Sequence, residues 1–167
     1  MLGPRTDRWT WDDTYMSMAC SIAQRSPDPA TQVGCTICDQ NHKLIGCGYN
    51  GVPKGICPTS VPWDKGDWKG EHPEKTKYEW VAHAERNALD NTTSSTEGAI
   101  CYVTLQPCNH CAIGLIQAGI KEVIYLDDKY KDRWFTKLAL EMFNRVDIVV
   151  RKHQWSKQAL RSRPDLA

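Results

Sequence analysis

The stretch at residues 98–126, GAICYVTLQPCNHCAIGLIQAGIKEVIYL, decides the fold. Its two ends, residues 98–105 and 121–126, are apolar runs that predict buried strands. Between them, Pro107 suits the first position of a helix that ends at Gly119. A strand, a helix and a second strand in this order predict a right-handed crossover between two parallel strands.

Further periodic segments extend this unit in both directions. The predicted elements outside it are a helix at 11–24 with Thr10 as N-cap, strands at 33–38 and 44–49, a helix at 78–90, a helix at 134–143 and a strand at 147–150. The two early strands flank a polar turn, which predicts an antiparallel hairpin. We expect one α/β domain over residues 1–167, a three-layer α/β/α sandwich with a mixed sheet of about five strands.

Two segments do not fit regular elements. Residues 51–77 hold four prolines and four glycines, so we predict a long loop. A loop of this length inside a compact domain is usually functional or disordered. The tail at residues 151–167 is basic, and we expect it to be either helical or frayed.

Composition restricts the class of protein. The chain has 167 residues, of which 41% are hydrophobic and 25% charged, as is ordinary for a soluble domain. A formal net charge of +1 gives no field that would attract a nucleic acid polymer, so a small-molecule substrate fits better. Eight cysteines without an apolar N-terminal signal region favour reduced thiols and a cytoplasmic location. No stretch approaches the ~18 apolar residues of a membrane span.

Two short polar motifs stand at predicted helix starts: His-Ala-Glu at residues 83–85 and Pro-Cys-Asn-His-Cys at residues 107–111. Cys108 and Cys111 are three residues apart, so on a helix they share a face and can bind one ion. A helix N-terminus also lowers thiol pKa values and favours the thiolates that zinc requires. With His83 the motifs supply three ligands, the number typical of a catalytic zinc site with an open position.

Glu85 is the carboxylate that such a site needs. It lies two residues after His83, a spacing that does not favour joint binding of one ion from within a helix. We therefore predict that His83 is a zinc ligand, while Glu85 takes a proton from water and delivers it to the substrate. This arrangement indicates a metal-dependent hydrolytic enzyme.

The pairing of H-x-E with P-C-x-x-C resembles the signature of zinc-dependent nucleobase deaminases. Within that superfamily the chain is similar to the deoxycytidylate (dCMP) deaminase family. The other matching blocks are SPDPATQVG at 26–34, GYNGVP at 48–53, QAGIKEVIY at 117–125 and DKY at 128–130. Because both motif halves and the GYNG loop must match together, the resemblance is specific.

The resemblance implies a cytidine-deaminase-like fold and hydrolysis of dCMP to dUMP and ammonia, which supplies dUMP for thymidylate synthesis. Carried over by position, it makes His83, Cys108 and Cys111 the ligands of Zn²⁺. It makes Glu85 the residue that moves protons. The backbone N–H of Ala84, at a helix N-terminus, is the expected donor to the carbonyl of the base.

Residues that bind the rest of the substrate are also expected. The resemblance implies that Asn50 contacts the nucleoside. Arg25, Ser26 and Tyr130 are the candidates for the 5′-phosphate, because a dianion needs cationic and hydroxyl donors. The chain departs from the family at Pro27, where a lysine is frequent.

The resemblance to this family is also the basis for expecting regulation. Many dCMP deaminases are homohexamers that dCTP with Mg²⁺ activates and dTTP inhibits, which implies the same partners here. The loop at residues 51–77 is long enough for an effector site, and it directly follows the GYNG turn. Tyr49 and Gly51 are therefore the expected effector-binding residues.

Other interpretations remain open. One is a deaminase of another substrate, such as free cytosine, a nucleoside or adenosine in tRNA, although a tRNA enzyme should show a basic surface. Another is a structural zinc module, which would need a fourth protein ligand and is opposed by the free carboxylate of Glu85. Cys57 and His72 in the long loop form an incomplete ligand set, so a solvated loop is the favoured interpretation there.

Overall fold

The computed structural model describes residues 2–66, 72–163 and 165, which build a mixed sheet with helices on both faces. β1 is antiparallel to β2 and β3, whereas β3, β4 and β5 are mutually parallel. The predicted α/β fold is thereby confirmed. The strands are β1 (Gly34–Cys38), β2 (Leu44–Tyr49), β3 (Ile100–Leu105), β4 (Glu122–Asp127) and β5 (Val149–Lys152), in the spatial order β2-β1-β3-β4-β5.

The α-helices of the described residues are α1 (Trp11–Ala23), α2 (Ala84–Asp90), α3 (Asn109–Gln117), α4 (Trp134–Arg145) and α5 (Lys157–Ser162). α3 joins two parallel strands as the predicted crossover, and α4 makes a second one. Thr10 caps α1 as expected: its hydroxyl accepts the N–H of Asp13 at 3.1 Å, and the Asp13 carboxylate accepts the N–H of Thr10.

Each face of the sheet has its own apolar layer. One face packs against α2, α3 and α4 through apolar side chains such as Ala88, Leu115 and Phe143. The other packs against α1, where Tyr15, Met16 and Ala19 contact Tyr102 and Ile124 of the sheet. These two layers around one sheet are the expected three-layer arrangement.

β2 lets α2 approach the sheet unusually closely, because it presents glycines to the helix backbone. A Cβ added at Gly48 would lie 2.3 Å from the N of Ala88, and one at Gly46 would lie 2.6 Å from the O of Ala88. Ala84 and Ala88 present the smallest side chains from the helix side, and both are fully buried. This close contact fixes the N-terminus of α2, which carries the His-Ala-Glu motif.

Several predicted element boundaries were wrong. The helix predicted at 78–90 begins only at Ala84, because Ala82 pairs with Gly51 in an isolated β-bridge and cannot be helical. Pro107 is not the first helical residue, since Cys108 is the N-cap and α3 starts after it. The last strand is shifted by two residues, because Asp147 adopts a positive φ of 55° in the turn before it.

The long loop contains short turns of 3₁₀ helix at Pro58–Ser60, Pro73–Lys75 and Lys77–Glu79, while residues 67–71 lie outside the described residues. In the basic tail, β5 ends at Lys152 and α5 follows, so the helical alternative holds for that part. Residues 164, 166 and 167 of the tail lie outside the described residues. All eight cysteines are unpaired. In the part of the chain that the structure describes, no helix has the length and apolar character needed to cross a membrane.

Candidate active site

The two predicted motifs meet at the starts of two neighbouring helices. His83 is the N-cap of α2 and Cys108 the N-cap of α3, each with extended backbone torsions, φ/ψ of −73°/157° and −84°/172°. α3 begins directly after the carboxyl end of β3, the edge at which parallel strands usually present functional groups. Neither cap residue uses its side chain to cap its own helix, so both side chains are available for a ligand.

His83, Cys108 and Cys111 bring three donor atoms together. The Nδ1 of His83 lies 3.2 Å from the Sγ of Cys111 and 3.5 Å from the Sγ of Cys108, and all three donor atoms lie within 4.8 Å of one another. With Zn–S and Zn–N bonds of about 2.3 and 2.0 Å, donors around a tetrahedral zinc lie roughly 3.5 Å apart. The donor set fits Zn²⁺ in both chemistry and spacing.

The two cysteines reach the same point for a reason other than the predicted one. They were expected to share a helix face, but Cys108 is the cap and only Cys111 is helical. The extended backbone of the cap turns the Cys108 side chain back over the helix N-terminus, where it meets Cys111 in the first turn. Across residues 2–66, 72–163 and 165, these three are the single His, Cys, Asp and Glu group close enough to hold a metal.

The side chains of His83, Cys108 and Cys111 contact one another, and these contacts shift their pKa values. Hydrogen bonds from the Cys111 thiol and from His83 lower the pKa of Cys108 to about 3. The same contact with Cys108 raises the pKa of His83 to about 9. The pKa of Cys111 is raised, chiefly because its thiol donates to Cys108 and because it is buried. Cys108 is therefore already the thiolate that a zinc ligand must be.

Glu85 is the second residue of α2 and is only 4% exposed. Burial raises the pKa of its carboxyl group, while the nearby His83 opposes that rise. The carboxylate is next to the donor atoms and is not one of the three. A groove of about 370 Å³ with Tyr78 and Ile113 in its wall reaches His83 and Cys111 from the outside. The site thus combines a metal ligand set and a separate carboxylate, with a groove from the surface at His83 and Cys111.

Asn50 is buried, and its side-chain amide forms hydrogen bonds with other residues of the chain. Its Oδ1 accepts the N–H of Val33 at 2.7 Å. Its Nδ2 donates to the carbonyl of Thr31 at 2.9 Å and to the carboxylate of Asp28 at 3.3 Å. An amide oxygen can accept two hydrogen bonds, and among the described residues the Oδ1 of Asn50 accepts this one.

The predicted phosphate ligands lie in two segments. Arg25 is exposed just after α1, and the Ser26 hydroxyl donates to the carbonyl of Asn50 at 2.8 Å. Tyr130 is half-buried in the connection after β4, edge-on to Phe135. The two segments meet where Lys129 Nζ donates to Thr31 Oγ1 at 3.4 Å. Lys129 is a cationic residue that the sequence interpretation did not single out.

The predicted effector residues lie between the loop and the ligand set. Gly51 exchanges two backbone hydrogen bonds with Ala82, of 3.0 and 2.9 Å, directly before His83. The carbonyl of Tyr49 accepts from the Asn87 amide of α2 at 2.7 Å. A change in the long loop therefore has a short covalent and hydrogen-bonded route to His83.

Two charged residues near the site were missed from the sequence. Asp28 and Lys77 form a buried ion pair that contacts Asn50. Asp28 lies inside the matching block at 26–34, in which the sequence interpretation singled out Ser26 and Pro27. Lys77 is the last residue of the predicted loop. A segment rich in proline and glycine gives no periodic pattern from which its burial could be predicted. Cys57 forms a hydrogen bond with Thr59, and His72 forms one with Glu74. Among the described residues, neither belongs to a group of side chains that could hold a metal ion.

Comparison with known proteins agrees with this geometry. A family model described as the cytidine and deoxycytidylate deaminase zinc-binding region matches residues 9–127, which include both motifs. Deoxycytidylate deaminases of Mus musculus and Homo sapiens are each 43% identical to the chain over 149 residues, 89% of the chain and 82% of those proteins.

Solved structures give the same result. The dCMP deaminase of cyanophage S-TIM5, in complex with dCMP and dUMP, superimposes with a TM-score of 0.65 at 25% identity, covering 84% of this chain and 95% of the phage chain. The family model and the identity to the mammalian proteins together show that this chain belongs to the cytidine and deoxycytidylate deaminase family of zinc-binding enzymes.

Proposed function

We propose that the chain hydrolyses dCMP to dUMP and ammonia. The observation that carries this proposal is a three-ligand donor set with a separate buried carboxylate, in a chain 43% identical to deoxycytidylate deaminases over most of its length. The complex of the phage relative with dCMP and dUMP supports a nucleotide substrate of that kind.

The chemistry divides between the ligand set and Glu85. His83, Cys108 and Cys111 would hold zinc, which when bound supplies the Lewis acidity that makes water nucleophilic at neutral pH. Glu85 accepts one proton of the attacking water and delivers it to N3 of the cytosine ring as the C4–O bond forms. It then carries the proton of the new C4 hydroxyl to the amino group, which leaves as ammonia as the C4–N bond breaks. Burial raises the pKa of Glu85, which makes the carboxylate a stronger base than an exposed one.

Substrate contacts follow from the positions of the remaining residues. The N–H of Ala84, at the start of α2, is a donor for the carbonyl of the base. Asn50 offers its side-chain oxygen to the sugar. Arg25, Ser26 and Tyr130 supply charge and hydroxyl donors for the 5′-phosphate. Pro27 stands in the middle of this segment, where it can donate no backbone hydrogen bond.

We further propose regulation by nucleotides in a homohexamer, with dCTP and Mg²⁺ as activator and dTTP as inhibitor. Tyr49 and Gly51 are the effector-binding residues in this proposal. The paired backbones of Gly51 and Ala82 support it, because they join the long loop to the residue beside His83. We assign the activity to the cytoplasm, since eight unpaired cysteines favour a reducing compartment.

An ammonia-release assay tests the substrate assignment. The zinc-loaded chain is incubated with dCMP, CMP, dCTP, deoxycytidine and cytosine side by side, and kcat/KM is compared. We expect dCMP to exceed deoxycytidine by about 10- to 100-fold, the value of a charge-assisted phosphate contact. Equal turnover of the two would overturn the nucleotide assignment, and turnover of cytosine alone would reassign the substrate to the free base.

A further inference from the structure

Lys77 and Asp28 form an ion pair at the base of the long loop, close to the candidate active site. The ammonium group contacts Oδ2 of the carboxylate, and the two side chains are 8% and 3% exposed. Within the described residues, no other lysine or arginine ion pair has both side chains this deeply buried. A buried ion pair contributes little to stability on average, so its presence indicates another role.

Asp28 is the centre of a small network. Its Oδ1 accepts the backbone N–H groups of Ala30 and Thr31 at 2.8 and 3.2 Å, and its Oδ2 also accepts the Nδ2 of Asn50 at 3.3 Å. All of these donors are neutral. Lys77 therefore supplies the positive charge that balances the buried carboxylate.

Through Asp28, the ion pair determines the position of Asn50. The Asn50 amide is held from one side by Asp28 and from the other by backbone groups of Thr31 and Val33. The backbone carbonyl of Asn50 also accepts a hydrogen bond from the Ser26 hydroxyl, so the same network holds both residues. With an uncompensated charge at Asp28, this segment would have to move toward water.

Lys77 is also tied to the ligand helix through its backbone. The backbone carbonyl of Lys77 accepts the N–H groups of Trp80 and Val81, both at 3.1 Å. The following residue, Ala82, pairs with Gly51 and directly precedes His83. One side chain thus connects the segment that precedes the metal ligand with the segment that holds Asn50.

On the basis of the proposed function, we propose that Lys77 is a positioning residue for the nucleotide. Its ion pair with Asp28 holds Asn50 and Ser26 at a fixed distance from the ligand set. Lys77 does not touch the reacting atoms. Its loss therefore weakens nucleotide binding while zinc binding and the proton transfers continue.

Kinetics of Lys77→Met and of the matched control Lys75→Met test this assignment. Lys75 is in the same loop, two residues earlier, and is exposed. We expect Lys77→Met to raise KM for dCMP by about 10- to 100-fold, to change kcat by no more than about threefold and to retain one zinc per chain. Lys75→Met should match the parent. An unchanged KM in Lys77→Met, or an equal fall in kcat, would overturn the proposal.

Amide hydrogen exchange separates this proposal from the substrate assignment, because it needs no turnover. If the parent chain does not deaminate dCMP, the substrate assignment fails, and the positioning role is judged from the amides of Val33 and Gly51. We expect Lys77→Met to accelerate exchange at both amides at least about tenfold relative to Lys75→Met. Protection equal to that of the control would refute the positioning role.

The double variant Asp28→Asn/Lys77→Met covers the case in which Lys77→Met does not fold. It removes both charges and so leaves none uncompensated in the interior. We expect it to fold with KM still at least about fivefold above the parent, since the link between the loop and Asp28 is gone. A parental KM in the folded double variant would overturn the proposal.

Discussion

At the scale of single residues, the candidate active site depends on two helix caps. His83 and Cys108 are in extended conformation just before α2 and α3, so their side chains turn over the helix ends and meet Cys111. A side chain in mid-helix would point outward from the axis and would not reach a neighbouring helix terminus. The caps also leave Glu85 in the first turn of α2, near the ligands and apart from them.

Removal of one thiol tests the ligand set directly. We expect Cys111→Ser to lower zinc from one equivalent per chain to a small fraction of that, because zinc binding needs every thiolate of the site. The measurement is elemental analysis of the purified chain after dialysis. Cys57→Ser, which changes an exposed thiol of the loop, is the control and should retain the metal. Full zinc content in Cys111→Ser would show that the ion binds elsewhere.

Glu85→Gln tests the role of the carboxylate. The amide has the same shape but cannot accept a proton, so kcat should fall by at least 10²- to 10⁴-fold, the usual contribution of a general acid or base. Zinc content should stay at one per chain, because Glu85 is outside the donor set. Glu79→Gln, an exposed acid just ahead of α2, should keep parental kcat. If Glu85→Gln loses zinc, Glu85 is a ligand and its assigned role is wrong.

At the scale of elements, the C-terminal segment is fastened to α1 through buried polar groups. Asp13 of the capping box also accepts the N–H of Ser156 at 3.0 Å. His153 is 4% exposed, with its Nε2 3.5 Å from Asp13 and its ring edge-on to Trp155. The first turn of α1 thus anchors the connection to α5 through Asp13, a contact between residues more than a hundred positions apart.

His153 should make stability depend on pH. Burial lowers the pKa of His153 and Arg151 adds to this, while Asp13 and Asp12 oppose it, so the folded state binds a proton less readily than the unfolded chain. Stability is therefore complete above the ordinary histidine pKa of about 6.5 and declines as the pH falls below it, by at most ~1.4 kcal/mol per pH unit.

Unfolding in urea at pH 7.5, 6.5 and 5.5 measures this effect. His153→Gln should reduce the acid slope of the unfolding free energy, because the neutral amide cannot take up the proton. His72→Gln, a change of an exposed histidine, should leave the slope as in the parent. Neither substitution changes the zinc ligand set, so we expect all three chains to lose zinc alike in acid and that contribution to cancel. A parental slope in His153→Gln would contradict the assignment.

At the scale of the whole molecule, two regions of the chain meet at the candidate active site. α2 and α3 bring the ligand set to one face, while the long loop and the GYNG turn border the same site through the pairing of Gly51 with Ala82. Effectors that reorganise the loop would act on the residue next to His83. The fold therefore offers a direct physical route for the proposed regulation.

Saturation curves for dCMP test this regulation. We expect dCTP with Mg²⁺ to lower the half-saturating dCMP concentration by roughly 5- to 150-fold, the range of typical allosteric coupling, and dTTP to oppose it. Sizing chromatography of the same samples should give a hexamer. A monomer with hyperbolic kinetics that neither nucleotide alters would reject the regulatory proposal and leave the deaminase assignment standing.

The sequence by itself determined the parts of this protein that local patterns encode. The apolar runs around residues 107–118 predicted the parallel crossover, because alternating strand and helix periodicity leaves few arrangements for a buried sheet. The spacing of Cys108 and Cys111, with His83 and Glu85, predicted the metal ligands and the separate carboxylate, because metal chemistry restricts which residue types can serve.

Only the tertiary structure decided how those residues come together. The start of α2 at Ala84 depends on the pairing of Ala82 with Gly51, and the burial of Lys77 depends on its contact with Asp28. Both are contacts between segments far apart in the chain, and no local propensity encodes them. The residue types fixed the chemistry of the site, while long-range hydrogen bonds and the burial of charge fixed its geometry.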